Sequence, residues 1–197
     1  MLFSLLNIGR ACSQARYEWE NARLLLDNGI ETYRPVCFGE KITCGIENCS
    51  FFVTEELQSQ CLADFIRQNW PSFQQQQKEE IVAGLGEFIR KIHALNISLP
   101  DLYVWHIFIT EKAGGQYCYA VIDLHRMSRN VISRSKKIKN LGRLHHSMLD
   151  SYFDEELKQL FVESYAADDR HCDINRLMAQ VKRYSDAVSA KCRQRQY

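Results

Sequence analysis

Residues 99–126 read LPDLYVWHIFITEKAGGQYCYAVIDLHR, and the fold turns on them. Two apolar, β-favouring runs, Leu102–Ile109 and Tyr117–Leu124, flank Gly114-Gly115. Paired glycines accept the positive φ that tight hairpin turns demand, so the stretch predicts a β-hairpin. Three polar groups interrupt it: Asp101 before the first strand, His106 inside it, and Asp123 near the end of the second. A carboxylate or an imidazole among Val, Trp, Ile and Phe is costly to bury without partners. Each therefore has either a chemical role or neighbours that satisfy it.

The order Asp-x4-His, with a further Asp one hairpin later, matches the layout of a phosphoryl-transfer site of protein-kinase type. In such a site one Asp accepts the proton of the substrate hydroxyl, a metal-binding residue follows five positions on, and a second Asp after the next strand holds Mg²⁺. A hairpin supplies the mechanical reason, because it brings residues distant in sequence to one end of the ribbon. Spacing alone equally fits a satisfied strand histidine between two loop carboxylates.

The wording is more specific than the spacing. DLYVWHIFI followed by VIDLHR resembles the bacterial lipopolysaccharide kinase family, sugar kinases that phosphorylate inner-core heptose or Kdo. The resemblance spans about Ala15 to Ala166. It implies an α+β, protein-kinase-like fold: a truncated small amino-terminal lobe (1–57: a helix, strands and the link between lobes) and a mainly helical carboxy-terminal lobe (58–197) that carries hairpin 99–126. It implies ATP and Mg²⁺ as cofactors and a lipopolysaccharide core glycolipid as acceptor. Asp101 would orient and deprotonate the sugar hydroxyl, and His106 and Asp123 would hold the metal, with the carboxylate the better ligand for a hard cation. Arg126 would neutralise charge on the transferred phosphate or anchor its loop.

Upstream, Ser13–Asn28 predicts a helix capped by Ser13 and stopped by Gly29. Its apolar face includes Trp19, Ala22, Leu25 and Leu26. Glu18 and Glu20 sit near its start, where carboxylates suit the helix dipole. YEWENARLLLDNGI also resembles the family helix whose glutamate pairs with a phosphate-binding lysine, and the pattern points to Glu18. Residues 31–46, strand-like and turn-rich with Pro35, Gly39 and Gly45, fit a hairpin of the amino-terminal lobe, and residues 50–56 read as a strand ending in two acids. FVTEEL resembles the link whose backbone holds the adenine ring, which makes Glu55, Glu56 and Leu57 candidate nucleotide contacts.

Further helices are expected over 62–70, 72–95, 140–149, 154–166 and 173–192. Arg126–Lys139 predicts a basic loop where a kinase places its activation segment, suited to acceptor sugars bearing phosphate or carboxylate. His145-His146 reads as a surface pair, and His93 as a packing or capping histidine.

The sequence departs from the family at three places. Leu99-Pro100 stands where His-Arg is usual, and Asn140 where an Asp is common. MLFSLLNIGR contains one glycine and no lysine, so it supplies neither a glycine-rich phosphate loop nor the lysine expected opposite Glu18. Two functional classes stay open: an ATP-dependent inner-core sugar kinase, and a pseudokinase-like module that binds nucleotide or glycolipid without turnover. A metal-dependent phosphohydrolase using Asp101, His106 and Asp123 is a third.

Composition bounds the rest. The 25 basic and 24 acidic residues give a net charge of +1, which offers no bulk attraction to nucleic acid. Eight cysteines without a CxxC pair predict free, mostly buried thiols in a reducing compartment. No apolar run approaches bilayer-spanning length. The expectation is a cytoplasmic protein, touching the inner membrane at most peripherally through the basic tail KCRQRQY.

Overall fold

The computed structural model describes residues 13–43 and 46–194. The sequence reading of the missing phosphate loop and lysine falls on residues 1–12, outside the described residues.

Helix α1 spans Gln14–Asp27, with Ser13 accepting from the Arg16 N–H at 3.1 Å and Gly29 leaving the helix at φ +72°. Its buried face holds Ala15, Asn21, Ala22 and Leu25, while Trp19 and Leu26 are half-buried. Strands β1 (Pro35–Thr43) and β2 (Ile46–Thr54) form an antiparallel hairpin, against which α1 packs, so residues 31–46 supply one strand of it rather than a hairpin of their own. A second sheet of three strands has the order β3 (Gln60–Cys61), β4 (Ile107–Glu111), β5 (Tyr117–Val121). Its central hairpin turns at Gly114 and Gly115, at φ +97° and +79°.

The remainder is helical: α2 (Leu62–Asn69), α3 (Gln75–Ala94), α4 (Arg134–Ser147), α5 (Glu155–Ala166) and α6 (Ile174–Gln194). The glutamine run starts α3, with Gln74 and Gln77 closing a reciprocal capping box. Ile81, Leu85, Phe88, Ile89 and Ile92, spaced at three and four, are all buried and make α3 the centre of the core. Helix α3 packs on α5, and α4 on α6. Asp154 and Asp173 cap α5 and α6 by accepting the Leu157 and Arg176 N–H groups. Among the described residues, no helix is long and apolar enough to cross a membrane.

Four further expectations need correction. Residues 102–106 are not strand: Val104–His106 form a 3₁₀ turn, so His106 precedes β4 rather than lying inside it. Leu102 and Val104 are buried, and this alternation in a turn imitates the period of a strand. The basic stretch is loop only as far as Ser133, because Arg134, Lys136, Lys137 and Lys139 lie in α4. Lys137 donates to the His93 carbonyl at 2.7 Å, so it serves the carbonyl end of α3. Third, the described thiols are free but none is fully buried, Cys37, Cys49 and Cys192 being exposed.

Finally, His145 is a core residue, 5% exposed and bonded through Nδ1 to the Ser185 hydroxyl at 3.1 Å. Burial lowers its pKa from 6.5 to about 4, and does the same to His93. Both are held neutral in the fold, while the unfolded chain takes up protons below pH 6.5. Stability is therefore full above that pH and is lost as pH falls toward 4, by roughly 3 kcal/mol per histidine across the window. Urea unfolding at successive pH values should show this decline already between pH 6.5 and 5, above the carboxylate range. A flat profile there would contradict the two buried imidazoles.

Candidate phosphoryl-transfer site

The hairpin ends converge as the spacing requires. The His106 backbone carbonyl accepts the Ile122 N–H at 2.9 Å, which ties the 3₁₀ turn to the segment that carries Asp123. Asp123 sits at φ +64°, ψ +60°, a left-handed conformation that Asp tolerates better than most residues. It turns the chain sharply out of β5 into a second 3₁₀ turn, Leu124–Arg126.

The His106 ring is oriented by its own turn. Nδ1 lies 2.8 Å from the Asp101 backbone carbonyl, which can only accept, so Nδ1 carries the proton. Nε2 lies 3.5 Å from Asp123 Oδ2. A ring locked through one nitrogen with the other facing a carboxylate is the usual preparation of a metal-binding imidazole. Asp123 Oδ1 is paired with His125 Nδ1. Asp101 Oδ1 accepts from the Arg126 guanidinium at 2.8 Å, while its Oδ2 is buried without a hydrogen-bond partner among the described residues. Asp101, Asp123 and His125 each offer an atom within 4.8 Å of the others. His125 was missed from the sequence, although it stands in the quoted VIDLHR motif, because nothing local says which way its ring turns.

Beside this cluster opens a cleft of about 610 Å³, lined by Glu18, Tyr33, Glu55, Glu56, Leu57, His106 and Asp123 among others. All the residues expected at the nucleotide line it together with the two expected metal ligands, whereas Asp101 and Arg126 face a separate cavity. Glu18 accepts from the Tyr33 hydroxyl at 2.6 Å. Burial and the Glu18 carboxylate both push the Tyr33 phenol well above its ordinary pKa, so it stays a donor.

Two buried amides brace the site. Asn140 Oδ1 accepts the Leu99 N–H and the Ser98 hydroxyl, each at 2.9 Å, and faces His93 Nε2 at 3.3 Å. It holds the segment just before Asp101, the work a carboxylate at this position would also do. Asn21 donates to the Leu124 carbonyl at 2.8 Å and accepts from Arg129 at 2.8 Å, binding α1 to the turn that follows Asp123.

The chain has counterparts among known proteins. A family model described as Lipopolysaccharide kinase (Kdo/WaaP) family matches residues 6–165. The lipopolysaccharide core heptose(I) kinase WaaP of Pseudomonas aeruginosa is 28% identical over 157 residues, which cover 77% of this chain and 59% of that protein. The Escherichia coli enzyme of the same name is 27% identical over 155 residues, covering 75% of this chain and 58% of its own length. The chain thus spans less than two thirds of the curated relatives it matches. A solved structure of WaaP in complex with acyl carrier protein superposes with a TM-score of 0.72 at 25% identity, covering 88% of this chain and 76% of that one. The α+β architecture is accordingly protein-kinase-like, and the chain belongs to the lipopolysaccharide kinase (Kdo/WaaP) family.

Proposed function

We propose that the protein transfers a phosphoryl group from ATP, with Mg²⁺, to a hydroxyl of a heptose or Kdo sugar in the lipopolysaccharide inner core. The observation that carries this reading is the meeting of Asp101, His106 and Asp123 beside a cleft lined by Glu18, Glu55, Glu56 and Leu57. The donor set suits Mg²⁺ through the Asp123 carboxylate, with the oriented His106 imidazole 3.5 Å from it. Asp123 and His106 would hold the ion, which when bound offsets the negative charge of the phosphates.

Asp101 takes the proton of the sugar hydroxyl at its unpartnered Oδ2, and Arg126 keeps the other oxygen in place. Glu55, Glu56 and Leu57 present backbone groups to the base, and Glu18 closes the cleft from α1. The acceptor is delivered at the inner face of the membrane, so the protein works as a peripheral cytoplasmic enzyme.

A binding module without turnover is the second reading. Glu18 is bonded to a tyrosine hydroxyl, where a kinase of this type pairs the helix glutamate with a lysine. Incubation with labelled ATP, Mg²⁺ and dephosphorylated inner-core oligosaccharide separates the two. Label in the sugar is the expected result. Calorimetric binding of Mg-ATP without transfer would favour the module, and no binding at all would overturn the nucleotide cleft.

A further inference from the structure

Charge is unevenly spread along this chain. The whole carries a net +1, yet between Asp123 and Asp150 there are seven cations and no carboxylate. Helix α4 holds five of them, Arg134, Lys136, Lys137, Lys139 and Arg143. Three stand in its first turn, where the helix dipole disfavours cations, and Ser133 makes no side-chain cap there. Local helix stability therefore does not account for them. Lys137 serves the end of α3. Among the described residues, Arg134, Lys136, Lys139 and Arg143 are in no ion pair.

Lys136, Lys139 and Arg143 recur at spacings of three and four, so they share one face of α4 while Leu141, Leu144 and His145 turn inward. Lys136 and Lys139 are exposed and Arg143 is half-buried. The Arg143 guanidinium lies over the Tyr184 ring, 5.6 Å from its centroid, which holds it in place without neutralising it. That arrangement depends on Gly142. A Cβ at this position would come within 2.7 Å of Tyr184 Cβ, so glycine lets α6 approach α4 closely enough to bring Tyr184 under Arg143. Arg143 and Lys191 line one cavity of about 300 Å³ with Asp101, so the basic face runs on to the last turns of α6. At its other end stands Ile132, two residues before α4 and 83% exposed, the most exposed large apolar side chain among the described residues.

We propose that this face of α4, from Ile132 to Arg143, docks on an anionic phospholipid surface. The cations meet the headgroups, and Ile132 enters the boundary between headgroups and acyl chains. A bilayer offers both partners within a few ångströms, negative charge lying over hydrocarbon. A soluble acidic protein would match the charges and leave Ile132 without a counterpart. The contact lies on α4 rather than on the tail KCRQRQY. It gives the molecule an orientation, with the end of the face that shares a cavity with Asp101 turned toward the membrane.

The test is sedimentation of the full chain with vesicles of equimolar phosphatidylcholine and phosphatidylglycerol, and with phosphatidylcholine alone. The protein should bind the first and not the second. Binding should fade as salt rises from about 0.1 to 1 M, where the Debye length shrinks from about 10 to 3 Å. The double variant Lys136→Gln/Lys139→Gln should bind roughly 25-fold more weakly, about fivefold per cation. Lys41→Gln/Lys91→Gln removes the same net charge outside the face and should bind like the wild type. Ile132→Ser should weaken binding about tenfold. All five side chains are exposed, so thermal unfolding should stay unchanged. Equal losses in the two double variants would reduce the attraction to net charge and overturn the surface. Absence of sedimentation with the anionic vesicles overturns it outright. Tighter binding to soluble polyglutamate than to vesicles, with Ile132→Ser matching the wild type, marks an acidic protein as the partner and overturns it too. Sedimentation needs no turnover, so a chain that docks but transfers nothing refutes the kinase reading alone. One that phosphorylates soluble oligosaccharide and ignores vesicles refutes the docking surface alone.

Discussion

Asp101→Asn should leave Mg-ATP binding intact and slow phosphoryl transfer by about 10²–10⁴-fold, the usual contribution of a positioned general base. The substitution is nearly isosteric and acts on one feature only. The Asp101 backbone carbonyl still accepts from His106 Nδ1, so the imidazole keeps its orientation toward Asp123. The new side chain keeps one oxygen for Arg126 but places an amide where the orphaned Oδ2 stood, and an amide cannot take the hydroxyl proton. Single-turnover transfer alongside calorimetric nucleotide binding reads the two effects apart. A variant with near-normal transfer would remove Asp101 from the chemistry, and one that loses nucleotide as well would make its role structural.

Asp123→Asn should weaken Mg-ATP binding by about 100-fold or more, since even groups that merely support a metal ligand cost 10–100-fold when removed. Asparagine is the informative replacement. Position 123 stands at φ +64°, which asparagine tolerates and alanine does not without a penalty of order 1 kcal/mol. Shape and backbone are kept, and the negative charge facing His106 is removed. The melting temperature should hardly change, while Mg²⁺ should lose its effect on ATP affinity. If Mg-ATP binds the variant as tightly as the wild type, the metal lies elsewhere, with Asp101 and His125 the remaining candidates within reach.

Both aspartates could be read from the chain. Asp101 and Asp123 stand out because each is a carboxylate at the edge of an apolar run, and the Gly114-Gly115 turn between those runs says they return to one place. The roles of Asn140 and Asn21 were not legible. Their burial follows from which faces of α4 and α1 turn inward, and their partners lie 41 and 103 residues away. His145 was misread for the same reason: a histidine on a basic helix looks solvated until α6 covers it.

The sequence by itself determined the α+β, kinase-like class, the hairpin at Gly114-Gly115, the Ser13 cap, the core stripe of α3 and the family. These follow from local periodicity, turn chemistry and motif wording, all of which act over a few residues. Only the tertiary structure decided that residues 102–106 form a turn, that residues 134–139 are the start of a helix, and that Arg143 and Lys191 line one cavity with Asp101. Each of those outcomes depends on packing between segments far apart in the chain, above all the approach of α6 to α4 at Gly142, and no local pattern encodes which distant surface will arrive.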